Sequence, residues 1–244
     1  MKTVAIIEAR MKSTRLPGKN LRPILGKPML ERLVERLKQA KMLDGIVIAT
    51  TIDSSDDAIE TLASQLGVGC FRGSMDDVLE RVLRAAQSVQ ADVIVEITGD
   101  CPFTDPGMVD QAVGRYLASN FDYVGNVRPS TYPVGFAVQV FATRVLKEVE
   151  SLTQDPVDRE HVSLYIYEHP ERYRLDNIES GLAEKYHAYR LTVDTPEDFS
   201  LTAAIFEALY PSNPEFGLAD ILAFLDAHPE LLELNCGVKQ KLVR

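Results

Sequence analysis

Val4-Ala5-Ile6-Ile7-Glu8-Ala9-Arg10-Met11-Lys12-Ser13-Thr14-Arg15-Leu16-Pro17-Gly18-Lys19 joins a short apolar run to a basic loop near the start of the chain. Four consecutive apolar residues are typical of a buried strand. Between positions 9 and 27 the sequence has six basic residues and no acidic one. Backbone amides and cations in such a loop can surround a polyphosphate, so the pattern predicts a phosphate-binding loop, with a solvated basic loop as the alternative.

The overall composition limits the class of protein. The chain has 244 residues, 45% of them hydrophobic, and a net charge of −10, which is typical of a globular protein and argues against general nucleic-acid binding. The three cysteines have no disulfide or zinc-site spacing (Cys70, Cys101 and Cys236). We find no signal-peptide pattern and no apolar run near the roughly 18 residues that span a bilayer. These features predict a cytoplasmic protein without membrane or nucleic-acid partners.

Apolar runs alternate with helical periodicities over the first 120 residues. Strands are predicted at Ile46–Ala49, Val68–Phe71 and Asp92–Thr98, with amphipathic helices between and after them. This alternation predicts an α/β fold with a mostly parallel sheet between two layers of helices.

The pattern changes from Phe121. Strands are predicted at Phe136–Phe141 and Tyr186–Val193, and a helix opens at Thr195 and Pro196. We expect one domain over residues 1–244, with an irregular α+β portion at about 121–180.

Two aspartates follow predicted strands, Asp100 after the third of these strands and Asp194 after the last. Taken alone, each aspartate fits a purely structural role, Asp100 as a turn residue and Asp194 as the residue before a helix cap. Because ligands collect at the carboxyl ends of parallel strands, the two together with the basic loop indicate a Mg²⁺ site that also uses substrate phosphates. The sequence lacks the glycine fingerprint of a dinucleotide site after its first strand, a complete P-loop and the Gly-x-Ser-x-Gly of an α/β-hydrolase.

Six blocks follow one another along the chain: Ala9–Lys19, Leu25–Leu30, Phe71–Leu79, Thr98–Pro102, Asp158–Val162 and Leu191–Asp198. In this order they resemble the cytidylyltransferase family, which includes synthetases of CMP-activated sugar acids, and most closely its spore-coat polysaccharide biosynthesis protein F branch. The resemblance implies a three-layer α/β/α nucleotidyltransferase fold of Rossmann-like type, CTP and Mg²⁺ as ligands, and a homodimer with subunit contact near 121–145.

The resemblance also implies roles for individual residues. Lys19 and Arg10 would act in catalysis, and Asp100 and Asp194 would hold the metal. The nucleotide contacts would be Ala9, Arg10, Ser13, Arg15, Lys19, Arg72, Ser74 and Asp77, with a helix cap as the alternative for Asp77. The acceptor contacts would be Tyr132, Gln139, Arg159 and His161, with surface or packing roles as the alternative for Arg159 and His161.

One block departs from the branch pattern Tyr-Pro-Asp-Gly-x-Asp-Val-Glu-Val-Phe, because Val134, Ala137 and Gln139 replace its three acids. We therefore expect the nucleotide-binding half of the site to be intact. The acceptor-binding half is expected to have a changed specificity or to have lost its function. The predicted function is transfer of CMP from CTP to a sugar, sugar acid or related anionic acceptor for surface polysaccharide or glycan synthesis, with release of pyrophosphate. The alternatives are a CTP-binding regulatory protein and a glycosyltransferase, although the acidic cluster at 53–57 has no Asp-x-Asp metal motif.

Overall fold

A seven-stranded sheet organises the computed structural model, which describes residues 1–240. A short two-stranded hairpin accompanies it. The strands are β1 (Thr3–Glu8), β2 (Pro23–Ile24), β3 (Lys27–Pro28), β4 (Gly45–Thr51), β5 (Gly69–Gly73), β6 (Val93–Thr98), β7 (Tyr123–Gly125), β8 (Gln139–Ala142) and β9 (Leu175–Asn177).

Helices cover both faces of this sheet, as the alternating pattern predicts. Short 3-10 turns occupy Lys19–Leu21, Ser54–Asp56, Glu184–Tyr186 and Pro229–Leu234. The α-helices are α1 (Met29–Leu37), α2 (Asp57–Leu66), α3 (Val78–Ser88), α4 (Pro106–Leu117), α5 (Thr143–Leu152), α6 (Pro156–Glu160), α7 (Leu164–Glu168), α8 (Pro196–Leu209) and α9 (Leu218–Ala227).

The strand order of the main sheet is β5-β4-β1-β6-β8-β7-β9, and β8 alone among these strands runs antiparallel to its neighbours. The chain moves outward from β1 to β4 and β5, then returns to place β6 on the other side of β1. A crevice forms where the direction of winding reverses, outside the carboxyl ends of β1 and β6, and ligands bind at such a point in open α/β sheets. The mostly parallel α/β fold predicted from the sequence is confirmed.

Local sequence signals set the ends of several helices. Asp105 caps α4 through the amides of Gly107 and Met108, and Pro106 follows at the first helical position. Thr195 and Asp198 form a reciprocal capping box at the start of α8. These caps begin the helices where the sequence predicts them.

Two groups of buried apolar side chains hold the layers together. The larger group packs the sheet against the helices on its two faces. The smaller group joins α8 and α9 to the loop after β1, and its centre is a set of three rings in which Phe103 stacks on Phe206 at 5.0 Å and Phe216 meets both edge-on. This smaller group carries the segment that ends in Asp194 against the basic loop.

The predicted strand Tyr186–Val193 is wrong. Residues 184–186 form a 3-10 turn, and the remainder makes one isolated bridge, between Val134 and Arg190. The Leu191 amide donates to the Val134 carbonyl at 2.7 Å, whereas the Val193 amide donates to the Asp100 carbonyl at 2.8 Å. Because the segment changes partners within two residues, no continuous ladder forms.

The predicted strand Phe136–Phe141 begins later than expected, at Gln139. The side chain of Asn126 occupies the missing part of the ladder, since it donates to the Phe136 carbonyl and accepts from the Val138 amide. Among residues 1–240, no helix has the length and apolar content needed to cross a bilayer.

Candidate active site

A cleft of about 480 Å³ lies at the carboxyl ends of β1 and β6, where the winding reverses. Its walls come from the loop after β1, from α3, from the residues after β6, and from the segments around 134–137, 160–161 and 192–194. The lining residues are Glu8, Ala9, Arg10, Ser13, Thr14, Arg15, Lys19, Asn20, Val78, Arg81, Thr98, Gly99, Asp100, Cys101, Val134, Gly135, Ala137, Glu160, His161, Thr192, Asp194 and Gln240.

The basic loop folds back on itself beside the cleft. The Met11 carbonyl accepts from the amides of Ser13 and Gly18, both at 2.9 Å. Gly18 has φ of 72°, in the left-handed region that glycine adopts without strain. The Asn20 amide group donates to the Arg10 carbonyl at 2.9 Å, which ties the end of the loop to its beginning. The loop therefore presents its cations from a fixed turn.

Lys19 occupies the centre of the site. Its Nζ lies 3.1 Å from Oδ2 of Asp100, 3.0 Å from Oδ1 of Asp194 and 2.7 Å from the Val193 carbonyl, and the side chain is 10% exposed. Burial lowers the pKa of Lys19, but the two carboxylates outweigh burial and hold that pKa above its ordinary value. The lysine is therefore a permanent positive charge at physiological pH.

Asp194 is the point where several cations converge. Its Oδ2 lies 2.9 Å from Nη2 of Arg15 and 2.7 Å from Nη2 of Arg190. Burial raises the pKa of Asp194, whereas Lys19 and the two arginines lower it, with a net decrease below the usual range. Asp194 is thus held as a carboxylate against one wall of the cleft.

Backbone contacts place Asp100 opposite Asp194. A Cβ on Gly99 would lie 2.7 Å from the Glu8 carbonyl, so glycine is what allows the end of β6 to approach β1 this closely. The Asp100 carbonyl accepts from the Val193 amide at 2.8 Å and from the Thr192 hydroxyl at 3.1 Å. These bonds fix the separation of the two carboxylates.

The two carboxylates have the donor chemistry of a Mg²⁺ site. Their oxygens converge on one point, which the Lys19 ammonium fills. Among residues 1–240, no group of three or more His, Cys, Asp or Glu side chains is arranged to hold a metal ion. Two carboxylates suffice where substrate phosphates supply further oxygens, so the residues present fit a magnesium ion that arrives with a phosphate ligand.

The structure brings eight of the site residues predicted from the sequence into this cleft. They are Ala9, Arg10, Ser13, Arg15, Lys19, Asp100, His161 and Asp194. Two residues of the altered block, Val134 and Ala137, also line it.

Four of the other predicted residues are bound to protein groups outside the cleft. Arg72 donates to the carbonyls of Thr51 and Asp53 and pairs with acids of α2. Asp77 caps α3 by accepting from the Glu80 amide, and it also pairs with Arg159. The Ser74 hydroxyl accepts from the Asp77 amide. Local helix capping thus accounts for the contacts of Ser74 and Asp77, and an ion pair to Asp77 for that of Arg159.

Tyr132 and Gln139, two predicted acceptor contacts, lie below the walls of the cleft. Tyr132 packs into the smaller apolar group. Gln139 donates to Glu96 at 3.2 Å and accepts from the hydroxyls of Tyr123 and Ser163. Both are engaged inside the protein in this structure.

Several polar residues of the cleft are not among the site residues predicted from the sequence, and they include Glu8, Asn20, Arg81 and Thr192. Glu8 could have been noticed in the sequence, because it is an acid at the end of an apolar strand and directly precedes a basic loop. Arg81 follows the pattern of a solvent-exposed position on an amphipathic helix, and only the structure shows it buried.

Comparisons with known proteins identify relatives of this chain and of its fold. The model of a family described as cytidylyltransferase matches residues 4–221. Spore coat polysaccharide biosynthesis protein SpsF of Bacillus subtilis is 34% identical over 92% of this chain and 94% of its own. A solved cytidylyltransferase of Leptospira borgpetersenii superposes with a TM-score of 0.90 at 31% identity, covering 99% of both chains.

A more distant structure shares the fold. CMP:2-keto-3-deoxy-manno-octonic acid synthetase, solved with CTP, has a TM-score of 0.65 at 19% identity, covering 85% of this chain and 99% of its own. The family model spans nearly the whole chain, and SpsF matches it over most of its length. The chain therefore belongs to the cytidylyltransferase family and is a nucleotidyltransferase.

Proposed function

We propose that this enzyme transfers CMP from CTP to an oxygen of a sugar, sugar acid or related anionic acceptor and releases pyrophosphate. The observation that carries the proposal is the buried Lys19 ammonium, which lies between Asp100 and Asp194 in the crevice between β1 and β6. The CTP-bound synthetase of the same fold and the polysaccharide-biosynthesis relative support CTP as donor and a glycan precursor as acceptor.

The triphosphate would lie against the basic loop. Arg10, Arg15 and Lys19 line one end of the cleft and supply three cations. An acceptor oxygen attacks the α-phosphorus, a new P–O bond forms, and the bond to the oxygen that bridges to the β-phosphate breaks. Pyrophosphate leaves with that electron pair. Preorganised cations beside the leaving group stabilise the charge that develops in this step.

Asp100 and Asp194 would hold Mg²⁺ once the triphosphate draws Lys19 away from them. The ion supplies charge neutralisation on the phosphate oxygens when it is bound. Arg190, which bonds to both Asp194 and Asp198, keeps the Asp194 carboxylate oriented throughout.

The acceptor would enter on the other side of the crevice, beside Val134, Ala137 and His161. A phosphate or carboxylate acceptor is already ionised at neutral pH and needs no proton removed, so His161 need not act as a base. A neutral hydroxyl acceptor would pass its proton to solvent water during the attack.

Pyrophosphate release tests the proposal. The protein is incubated with Mg²⁺, with CTP, UTP, ATP or GTP in turn, and with a panel of sugar phosphates and sugar acids. We expect release that depends on CTP and on one class of acceptor. CTP binding without release for any acceptor would favour a regulatory CTP-binding protein instead. No binding of any nucleotide would contradict the proposal.

A further inference from the structure

The described chain returns to the cleft at its far end. Gln240 is one of the lining residues, although it lies 46 positions beyond Asp194, the lining residue that precedes it in the sequence. Helices α8 and α9 and the 3-10 turn at Pro229–Leu234 come between them. The segment at 235–240 therefore forms part of the site, although none of the site residues predicted from the sequence lies there.

Asn235 anchors this segment. Its side chain is buried, and its amide nitrogen donates to the Arg190 carbonyl at 3.0 Å and to Oδ1 of Asp198 at 2.9 Å. The Val238 amide donates to the Asn235 carbonyl at 3.0 Å, which closes a turn after the anchor. The segment is thus tied to the same buried ion pair that orients Asp194.

Arg190 connects Gln240 to both halves of the site. Its Nη1 donates to Oε1 of Gln240, and its Nη2 donates to Oδ2 of Asp194 at 2.7 Å. Its backbone pairs with Val134 in an isolated parallel bridge. Gln240 therefore lies where the wall that carries Val134 meets the Asp194 carboxylate, in the half of the cleft given to the acceptor.

The contact with Arg190 fixes the orientation of the Gln240 amide. A guanidinium donates hydrogen bonds and cannot accept them, so the amide oxygen faces Arg190 and the NH₂ group faces away. Among residues 1–240, no group accepts a hydrogen bond from this nitrogen. Because Gln240 is exposed, a ligand that enters the cleft can reach its N–H groups.

We propose that Gln240 contacts the acceptor and donates an amide N–H to a carboxylate or phosphate oxygen of that molecule. The inference rests on the proposed function and adds a residue that determines its acceptor specificity. Val134 and Ala137, which line the same part of the cleft, have no polar side-chain atoms. A donor beside them gives an anionic acceptor a fixed orientation. A neutral amide does so without competing for the Asp194 carboxylate, as a lysine or an arginine would.

Steady-state kinetics of the Gln240→Ala protein test the contact. Pyrophosphate release is measured with Mg²⁺, CTP and the sugar acid or sugar phosphate that the wild type uses best. We expect the KM for this acceptor to rise about tenfold, the usual effect of losing one hydrogen bond to a charged group. The kcat and the KM for CTP should change by less than about twofold, because the contact contributes to binding of the acceptor alone. The Tm should stay at the wild-type value, since the side chain is exposed.

Gln240→Glu separates the donor from the contact with Arg190. Glutamate has the same length and still accepts from Arg190, but it has no N–H and carries a negative charge. The KM for an anionic acceptor should therefore rise at least as much as in the alanine variant. A Gln240→Glu protein with the wild-type KM would show that Gln240 only supports Arg190 and would overturn the assignment.

Lys239→Ala is the matched control. Lys239 is the neighbouring residue, is exposed and does not line the cleft, so its removal should change the acceptor KM by less than about twofold. An unchanged acceptor KM in the Gln240→Ala protein, or an equal rise in both variants, would also overturn the assignment. Absence of pyrophosphate release by the wild type with every acceptor would instead contradict the proposed function.

A fluorescence titration gives a second readout that needs no turnover. The chain contains no tryptophan, so Gln240→Trp introduces a single indole at the cleft. Its emission should change when CTP and Mg²⁺ fill the cleft, and that of a Lys239→Trp protein should change much less. A Gln240→Trp protein that binds CTP without a change in emission would contradict the placement of this residue in the site.

Discussion

Replacing Lys19 with methionine is expected to lower the kcat of CMP transfer by about 10²–10³-fold, the usual cost of removing one preorganised group that stabilises transition-state charge. Lys19 is the most buried cation of the basic loop, and burial keeps water from screening its charge. Methionine preserves much of the volume of the side chain and removes only the ammonium. The measurement is the rate of pyrophosphate release with saturating CTP and acceptor.

Lys12→Met is the matched control for this prediction. Lys12 belongs to the same loop, but it is exposed and pairs with Asp53 outside the cleft. We expect a change of less than about twofold, since surface ion pairs contribute little. If the Lys19 variant kept more than a third of the wild-type kcat, Lys19 would have no role in the chemical step.

Asp198→Ala is expected to destabilise the folded protein by about 3–5 kcal/mol, the usual cost of removing one partner of a buried ion pair. The Asp198 side chain is 0% exposed and pairs with Arg190. It also accepts from the amides of Asp194 and Thr195 and from the side chain of Asn235. Its loss would leave Arg190 without its main counter-charge and would remove half of the capping box of α8.

Thermal unfolding checks this value, and a decrease in Tm of roughly 10 °C is expected for a chain of this size. Hydrogen bonds and Arg190 hold the pKa of Asp198 below its usual range although burial opposes them. The stabilisation is therefore complete above the unfolded-state pKa of about 4 and is lost as the pH falls through the folded-state value. The difference between wild type and variant should narrow in acid.

Asp220→Ala provides the comparison for Asp198. Asp220 also caps a helix, by accepting from the Gly217 amide, but it is exposed. Its removal should cost only about 1 kcal/mol. Equal losses for the two variants would show that Asp198 acts as a helix cap alone and that its buried pair with Arg190 adds no stability.

Prediction from the sequence succeeded where an element depends on residues that are close together in the chain. The apolar run at Val4–Ile7 predicts β1, and Asp105 followed by Pro106 predicts the start of α4; the structure confirms both. The composition of the basic loop likewise indicated the wall of the cleft, because charge excess is visible without knowing any partner.

Prediction failed where a residue depends on contacts from distant parts of the chain. Arg190 was not predicted, because its role depends on Asp194 and Asp198 being presented by a segment that changes its pairing from Val134 to Asp100. Arg72 has the composition of a phosphate contact, but the acids of α2 and two carbonyls engage it. Neither arrangement leaves a periodic pattern in the sequence.

Glu8 is visible in the sequence as an unusual residue, but the sequence does not indicate what its role is. A lone acid at the end of an apolar strand is unusual, yet its environment depends on Glu96 and Arg81, which are 88 and 73 positions further along the chain. The coupling of these groups exists only after β6 and α3 pack against β1.

A crystal structure of the protein with CTP and Mg²⁺ tests the central claim most directly. The account predicts the triphosphate against Arg10, Arg15 and Lys19, with the Lys19 ammonium displaced from Asp100 and Asp194 and a metal ion between those carboxylates. A triphosphate bound away from this loop, or a Lys19 that stays between the two carboxylates while CTP is bound, would contradict it.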